Sequence, residues 1–158
     1  MFHEILISIY RVITFDLLCW AFSQIPGWED TFLVDGFTLV VSGAAGTAVI
    51  AASKIGLKCQ AVGGVGTDLM GDWVRMRLGT FDVNTDLLQT IPGGRTSSSI
   101  VSTRADGSRP VLHLKGETGS FYIEQDQFEK VTDADIVHFG GVGLMSCMNT
   151  GQNARLAK

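Results

Sequence analysis

Apolar positions along this chain fall in short runs between glycine-rich and polar breaks, and their spacing shifts from strand rhythm to helix rhythm and back. Ile5 to Tyr10 is a continuous apolar run that predicts a buried first strand, with Asp16 just beyond its carboxyl end in a loop. After a turn at Ile25-Pro26-Gly27, Thr31 to Val41 reads as a long strand broken by Asp35-Gly36, a hairpin signal. From Thr47 the period becomes helical, with Ala48, Ala51, Ala52 and Ile55 on one face and Gly56 ending the helix. Cys59 to Val62 is a short strand, followed by a turn built on Gly63, Gly64 and Gly66. A second helix then carries Leu69, Trp73 and Met76 inward.

Further along, Thr96 to Thr103 predicts a strand that turns at Asp106-Gly107-Ser108 and returns through Val111 to Leu114. Ile123 to Lys130 reads as a short polar helix, Ile136 to Phe139 as a core strand, and Met148 to Lys158 as the opening of another helix. Alternating strands and helices predict an α/β fold with a parallel sheet. The strands rich in serine, threonine and β-branched residues would form a smaller sheet apart from it.

The stretch from Ser42 to Gly71 carries the candidate chemistry. Ser42, Gly43 and Gly46 bracket Ala44 and Ala45, so the backbone can bend and approach a ligand with no Cβ in the way. A helix starting there points unpaired N–H groups at a hydroxyl-rich or anionic ligand. A helix needing small residues only to pack closely on a sheet explains the same spacing equally well. Asp68 sits where an N-terminal cap for the second helix belongs. The Gly64, Gly66, Gly71 spacing is too long for a dinucleotide fingerprint, and no Gly-Lys-Ser/Thr follows any glycine cluster. That spacing counts against a nucleotide-binding oxidoreductase fragment.

With 158 residues, 46% hydrophobic and 18% charged, the chain has the composition of a globular domain. A net charge of −4 argues against nucleic acid as a partner. Cys19, Cys59 and Cys147 are widely spaced, which indicates buried thiols in a reducing compartment rather than disulfides or a zinc site. Glu4, Arg11 and Asp16 interrupt the apolar start below the ~20 residues a membrane span requires, and no basic region or cleavage site marks it as a leader. Asp133 and Asp135 raise the idea of a metal, but acids of this kind commonly lie in loops entering a buried strand. His113, alone in an apolar strand, reads as structural before it reads as a substrate contact.

The order of the glycine turn, the alanine-rich helix ending in Lys54-Ile55-Gly56, and Val65-Gly66-Thr67-Asp68-Leu69-Met70-Gly71 resembles the amino-terminal signature of ribokinase-like (PfkB-type) carbohydrate kinases. Phe81-Asp82-Val83-Asn84-Thr85, Arg95-Thr96, Asp106-Gly107 and Ala134 to Gly141 continue the resemblance, which runs from about Asp16 to Gly141.

The resemblance implies a partial ribokinase-like domain over residues 1–158: a three-layer core with helices on both faces of a parallel sheet, and a small β-sheet lid from segments near 20–41 and 95–115. It implies a sugar or nucleoside as substrate, with Asp16, Gly43, Ala44 and Thr47 as substrate-binding residues. Arg11-Val12 stands where the family has a Gly-Glu or Gly-Ser step, and Thr47 where it has asparagine.

The family's catalytic base lies in a later Gly-Ala-Gly-Asp motif, and its magnesium motif is Asn-x-x-Glu. Neither pattern occurs in this sequence. The expectation is therefore an acceptor-side portion of a cytoplasmic kinase, with no catalytic residue or metal ligand of its own. ATP and magnesium belong to the full-length family. The lid sheet is a possible homodimer interface. The alternative is a non-catalytic sugar-binding or dimerisation module. A chain cut after its early strands is expected to be a marginal or aggregating monomer unless a partner covers it.

Overall fold

The structure, a computed structural model, describes residues 6–20, 27–116 and 120–140. The expected helix over 148–158 and the glycine run after residue 140 lie outside these. Two four-stranded sheets organise the described residues. The core sheet is parallel throughout and ordered β5-β4-β1-β8: β1 is Leu6–Arg11, β4 Lys58–Gly66, β5 Leu88–Ile91 and β8 Ile136–Gly140. The outer sheet is ordered β3-β2-β6-β7, from β2 (Thr14–Trp20), β3 (Gly36–Ser42), β6 (Ser98–Thr103) and β7 (Val111–Leu114). Within it β2 and β6 run parallel, and the two outer pairs are antiparallel.

Strand β1 faces two apolar layers, as its unbroken hydrophobic run requires. Ile7 and Ile9 join Ala45 and Val49 of α1 (Gly43–Lys54) and Val74 and Leu78 of α2 (Leu69–Gly79) on one side. Tyr10 points to the other, where it meets Phe121, Ile123 and Val131 of α3 (Phe128–Thr132) and the segment before it. The expected polar helix is thus a 3-10 turn at Gln125–Gln127 running into α3.

Three sequence expectations about the strands change. Asp16 is not in a loop: it lies inside β2. Thr31–Val41 is not a broken hairpin, because only Gly36–Ser42 is a strand, and it pairs with β2 instead of with its own neighbour. The glycines at 63, 64 and 66 belong to β4, not to a turn. A Cβ at Gly66 would overlap the Gly94 carbonyl, and one at Gly63 would come within 2.9 Å of the Arg11 carbonyl. These residues are small because other backbone crosses the strand closely.

The buried helix faces are also rotated from those expected. Ala45, Val49 and Ala52 face inward on α1, leaving Ala51 exposed and Ile55 78% exposed. On α2 the inward residues are Gly71, Val74 and Leu78, with Trp73 half-buried, while Leu69 is 86% and Met76 57% exposed. Alanine suits either face of a helix, so the β-branched Val49 and Val74, which need a packed neighbour, set the seam.

Candidate functional site

Alternation along β2 gives the outer sheet two unlike faces. Phe15, Leu17 and Cys19 point one way, opposite Val41, Leu39 and Phe37 of β3. This face is apolar and carries a groove of about 530 Å³ lined by Phe32, Phe37, Ile100 and Leu112 among others. At its base Phe15 packs edge-on against Trp73 of α2, with ring centroids 5.2 Å apart.

Thr14 and Asp16 point the other way. Asp16 is 9% exposed and accepts a hydrogen bond from the Thr14 hydroxyl at 3.0 Å. Across the sheet it is level with Val40 of β3 and Ser99 of β6, and Ser99 is in turn level with His113 of β7. The Ser99 hydroxyl and His113 Nδ1 share a hydrogen bond of 3.1 Å. A polar row therefore runs Asp16, Ser99, His113 from the sheet's middle to its edge.

The start of α1 adjoins this row. Thr14 is level with Ser42, the residue before the helix. Gly43 takes φ +78°, and a Cβ there would overlap the Val12 carbonyl, so two constraints select glycine at one position. The Val12 carbonyl accepts from Ala45 N–H at 3.0 Å, tying the link between β1 and β2 to the helix. Ala44 and Thr47 are exposed on the first turn, while Gly46 is buried against Val41. Ser42 gives no side-chain cap. The structure thus brings Asp16 and the Gly43–Thr47 turn to adjoining positions.

Arg11 ends β1, just before the link to β2. Its side chain is 1% exposed and its φ is 141°, backbone that an arginine adopts only under constraint. Here the resemblance has glycine, and the dihedral gives the physical reason. Burial pushes the Tyr10 phenol well above its ordinary value, against the opposing pull of the Arg11 guanidinium.

Asp68 does more than the expected cap. Its carboxylate accepts from Gly71 N–H at 2.9 Å, as a helix cap does, and also from Thr96 N–H at 2.8 Å and the Thr96 hydroxyl at 2.5 Å. The Thr96 hydroxyl accepts from Gly66 N–H at 3.0 Å. Burial alone would raise the Asp68 carboxyl, but the Thr96 and Gly71 donors outweigh it and hold the group below the usual carboxylate range. Next to this knot the Ser97 hydroxyl donates to the Lys115 carbonyl, and a Cβ on Gly116 would stand 2.5 Å from Ser97 N. Both ends of the β6–β7 hairpin are anchored here. Helix-cap rules foretell the Gly71 bond, but no local signal joins Asp68 to a residue in a different element.

Asp135 accepts from Leu6 N–H at 2.8 Å and returns its own N–H to the Leu6 carbonyl, so it secures the start of β1. Among the described residues no group of three or more His, Cys, Asp or Glu is placed to hold a metal ion.

The model of the pfkB family carbohydrate kinases matches residues 11–157. The chain belongs to that family. Its relatives include the potato fructokinase, 28% identical over 70% of this chain and 35% of its own length. A probable fructokinase-2 of Arabidopsis thaliana is 26% identical over 70% of this chain and 34% of its own. The chain therefore spans about a third of the length of these relatives.

Among solved structures, Arabidopsis thaliana ribokinase complexed with ribose and ATP superposes with a TM-score of 0.80 at 18% identity, covering 99% of this chain and 51% of that one. Ribokinase from Giardia lamblia gives 0.79 at 19% identity, covering 95% and 48%. The likeness makes the fold ribokinase-like α/β. Among the described residues no helix is long and apolar enough to cross a membrane.

Proposed function

We propose that this chain forms the acceptor-binding and lid portion of a carbohydrate kinase, one that phosphorylates a sugar or nucleoside hydroxyl with ATP. The observation that carries the reading is Asp16, a nearly buried carboxylate on the polar face of the outer sheet, next to the glycine turn that opens α1. A carboxylate accepts hydrogen bonds from two adjacent hydroxyls, and the helix start, where Val12 takes the Ala45 N–H, suits the same ligand through the N–H groups of Gly43 and Ala44. Gly43, at φ +78° against the Val12 carbonyl, sets the path of the chain into the helix, and Ala44 and Thr47 line its first turn. The outer sheet is the lid. It excludes water so that the acceptor hydroxyl, and not water, receives the phosphoryl group.

Phosphoryl transfer also needs a base, a metal and donors for the developing charge. In this reading ATP and magnesium are held by the remainder of the kinase, and the chain alone binds acceptor without turning it over. The exposed apolar face of the lid supports self-association with a second copy. The test is a thermal melt with D-fructose, D-ribose and adenosine, and with ATP separately. An acceptor at 100 times its Kd adds about 2.7 kcal/mol, while ATP adds nothing. A shift with ATP alone would refute the reading.

A further inference from the structure

Among the described residues β5 is an edge strand of the core sheet. An edge presents unpaired N–H and C=O groups to any strand that comes alongside, and proteins usually blunt it with a charge or a proline. Leu87 to Ile91 has neither, and this apolar, uncharged run suits the addition of another strand. The Leu87 carbonyl accepts from Gly63 N–H of β4, so by alternation along the strand Leu88 and Thr90 turn their backbone groups to the open side.

The missing charge comes from another element. Arg75 of α2 reaches over the edge, where Nη2 donates to the Leu88 carbonyl at 2.6 Å and to the Thr90 hydroxyl at 3.0 Å. Its Nη1 donates to the Thr85 carbonyl at 2.9 Å, and that carbonyl also takes the Leu88 N–H at 3.0 Å. Both outward backbone groups of Leu88 are thus occupied within the chain. We propose that Arg75 guards this edge, and that without it β5 pairs with β5 of a second copy of the chain. Two identical edges pair antiparallel about a two-fold axis, an arrangement that closes on itself. Centred on Gln89, it sets Leu88 opposite the second copy's Thr90, whose N–H needs the very carbonyl that Arg75 holds. Pairing with the arginine in place would also bring two guanidinium groups together at the joint and strip them of water. The proposal does not depend on the acceptor reading, and the edge belongs to a different sheet from the exposed apolar face.

The experiment measures sedimentation, amide exchange at Thr90 and the urea midpoint in a Leu112→Glu background, which removes association through the apolar face of the outer sheet. Arg75→Met keeps the aliphatic length and removes the fork. It is expected to dimerise at a protein concentration about tenfold lower than the background does, the scale of one or two new hydrogen bonds. The Thr90 amide, which reports this edge alone, is expected to exchange more slowly in the dimer. Adding Thr90→Pro removes the outward N–H, a change that edge strands tolerate, and is expected to restore the behaviour of the background. Leu78→Ala weakens the core with Arg75 intact, and is expected to lower the urea midpoint without protecting Thr90.

If Arg75→Met sediments as the background does, the arginine only ties α2 to β5 and the proposal falls. If Arg75→Met associates while Thr90 exchanges as before, or while a folded Thr90→Pro double variant associates equally, the contact lies elsewhere and the proposal falls. Should the double variant not fold, Thr90 exchange in Arg75→Met decides alone. Equal association of Leu78→Ala, with Thr90 protected, would make lost stability the cause and would overturn the proposal as well.

Discussion

The core sheet is covered on both faces, with Ile9, Val62 and Val65 each 1% exposed, whereas the outer sheet leaves Phe37 64%, Leu112 66% and Ile100 45% exposed on one of its faces. Both are four-stranded, yet among the described residues the outer sheet leaves more large apolar side chains in water. A layered core stabilises by removing apolar surface from water. A sheet that leaves the apolar side chains of one face in water gains less stabilisation of its own. The core therefore carries most of the stability, and in the proposed function the outer sheet carries recognition, a division that substitutions can break.

The largest effects belong to the core. Leu78→Ala empties a fully buried position between α2 and the sheet and is expected to cost about 2–5 kcal/mol, read as a lower urea midpoint. Gly66→Ala is expected to match it without any cavity, because the added methyl meets the Gly94 carbonyl and the Thr96 amide, which are backbone and cannot turn aside. If Gly66→Ala melts like the parent, the crossing of β4 by residues 94–96 is looser than it stands here.

This glycine also shows why parts of the fold were hidden in the sequence. Glycines in a row signal a turn by their backbone freedom, and the same residues serve a strand crossed by other backbone. Only the crossing segment, about thirty residues onward, decides between the two. Strand β2 was hidden for another reason: Leu18 and Trp20 put apolar groups on the face that Thr14 and Asp16 make polar, which blurs the alternation.

By contrast α1 and its end were legible, since Gly56 at φ +88° follows a helical period and both signals are local. At the proposed site, Asp16 and the Gly43 turn stood out in the sequence by residue type, but the strand that carries Asp16 did not. The Ser99–His113 pair depends on strand register, which no local pattern encodes.

A middle-sized effect tests how the two sheets are joined. The carboxylate of Asp68 accepts from Thr96 at the entrance to β6, so the pair links the α2 cap to the outer sheet. Because the folded-state value of Asp68 is lowered, its contribution is fully present above the ordinary carboxylate value near 4 and is lost as pH falls through the lower folded value. Asp68→Asn should therefore cost about 1–2 kcal/mol at neutral pH and flatten the acid limb of the stability curve. Thr96→Val keeps the shape and the Gly71 cap while removing the hydroxyl that donates to Asp68 and accepts from Gly66 N–H. Amide exchange in β6 and β7, and at Gly66 itself, should then rise, with β1 and the rest of β4 unchanged. Equal acceleration in both sheets would make the knot a global support and not a joint.

The smallest effect on folding, and the most informative about the outer sheet, is expected at its apolar face. Leu112 and Phe37 contribute little to the monomer because they remain largely in water, so Leu112→Glu should change the stability of a dilute chain by no more than about 0.5 kcal/mol. Two such faces brought together remove Phe37, Leu39, Ile100 and Leu112 from water on each copy, and a buried glutamate at their centre would be expensive. Sedimentation should accordingly find the parent chain self-associated at concentrations where Leu112→Glu is a monomer that still binds acceptor. A variant that loses the acceptor along with its association would show instead that the two faces of this sheet are coupled, and that recognition depends on the second copy.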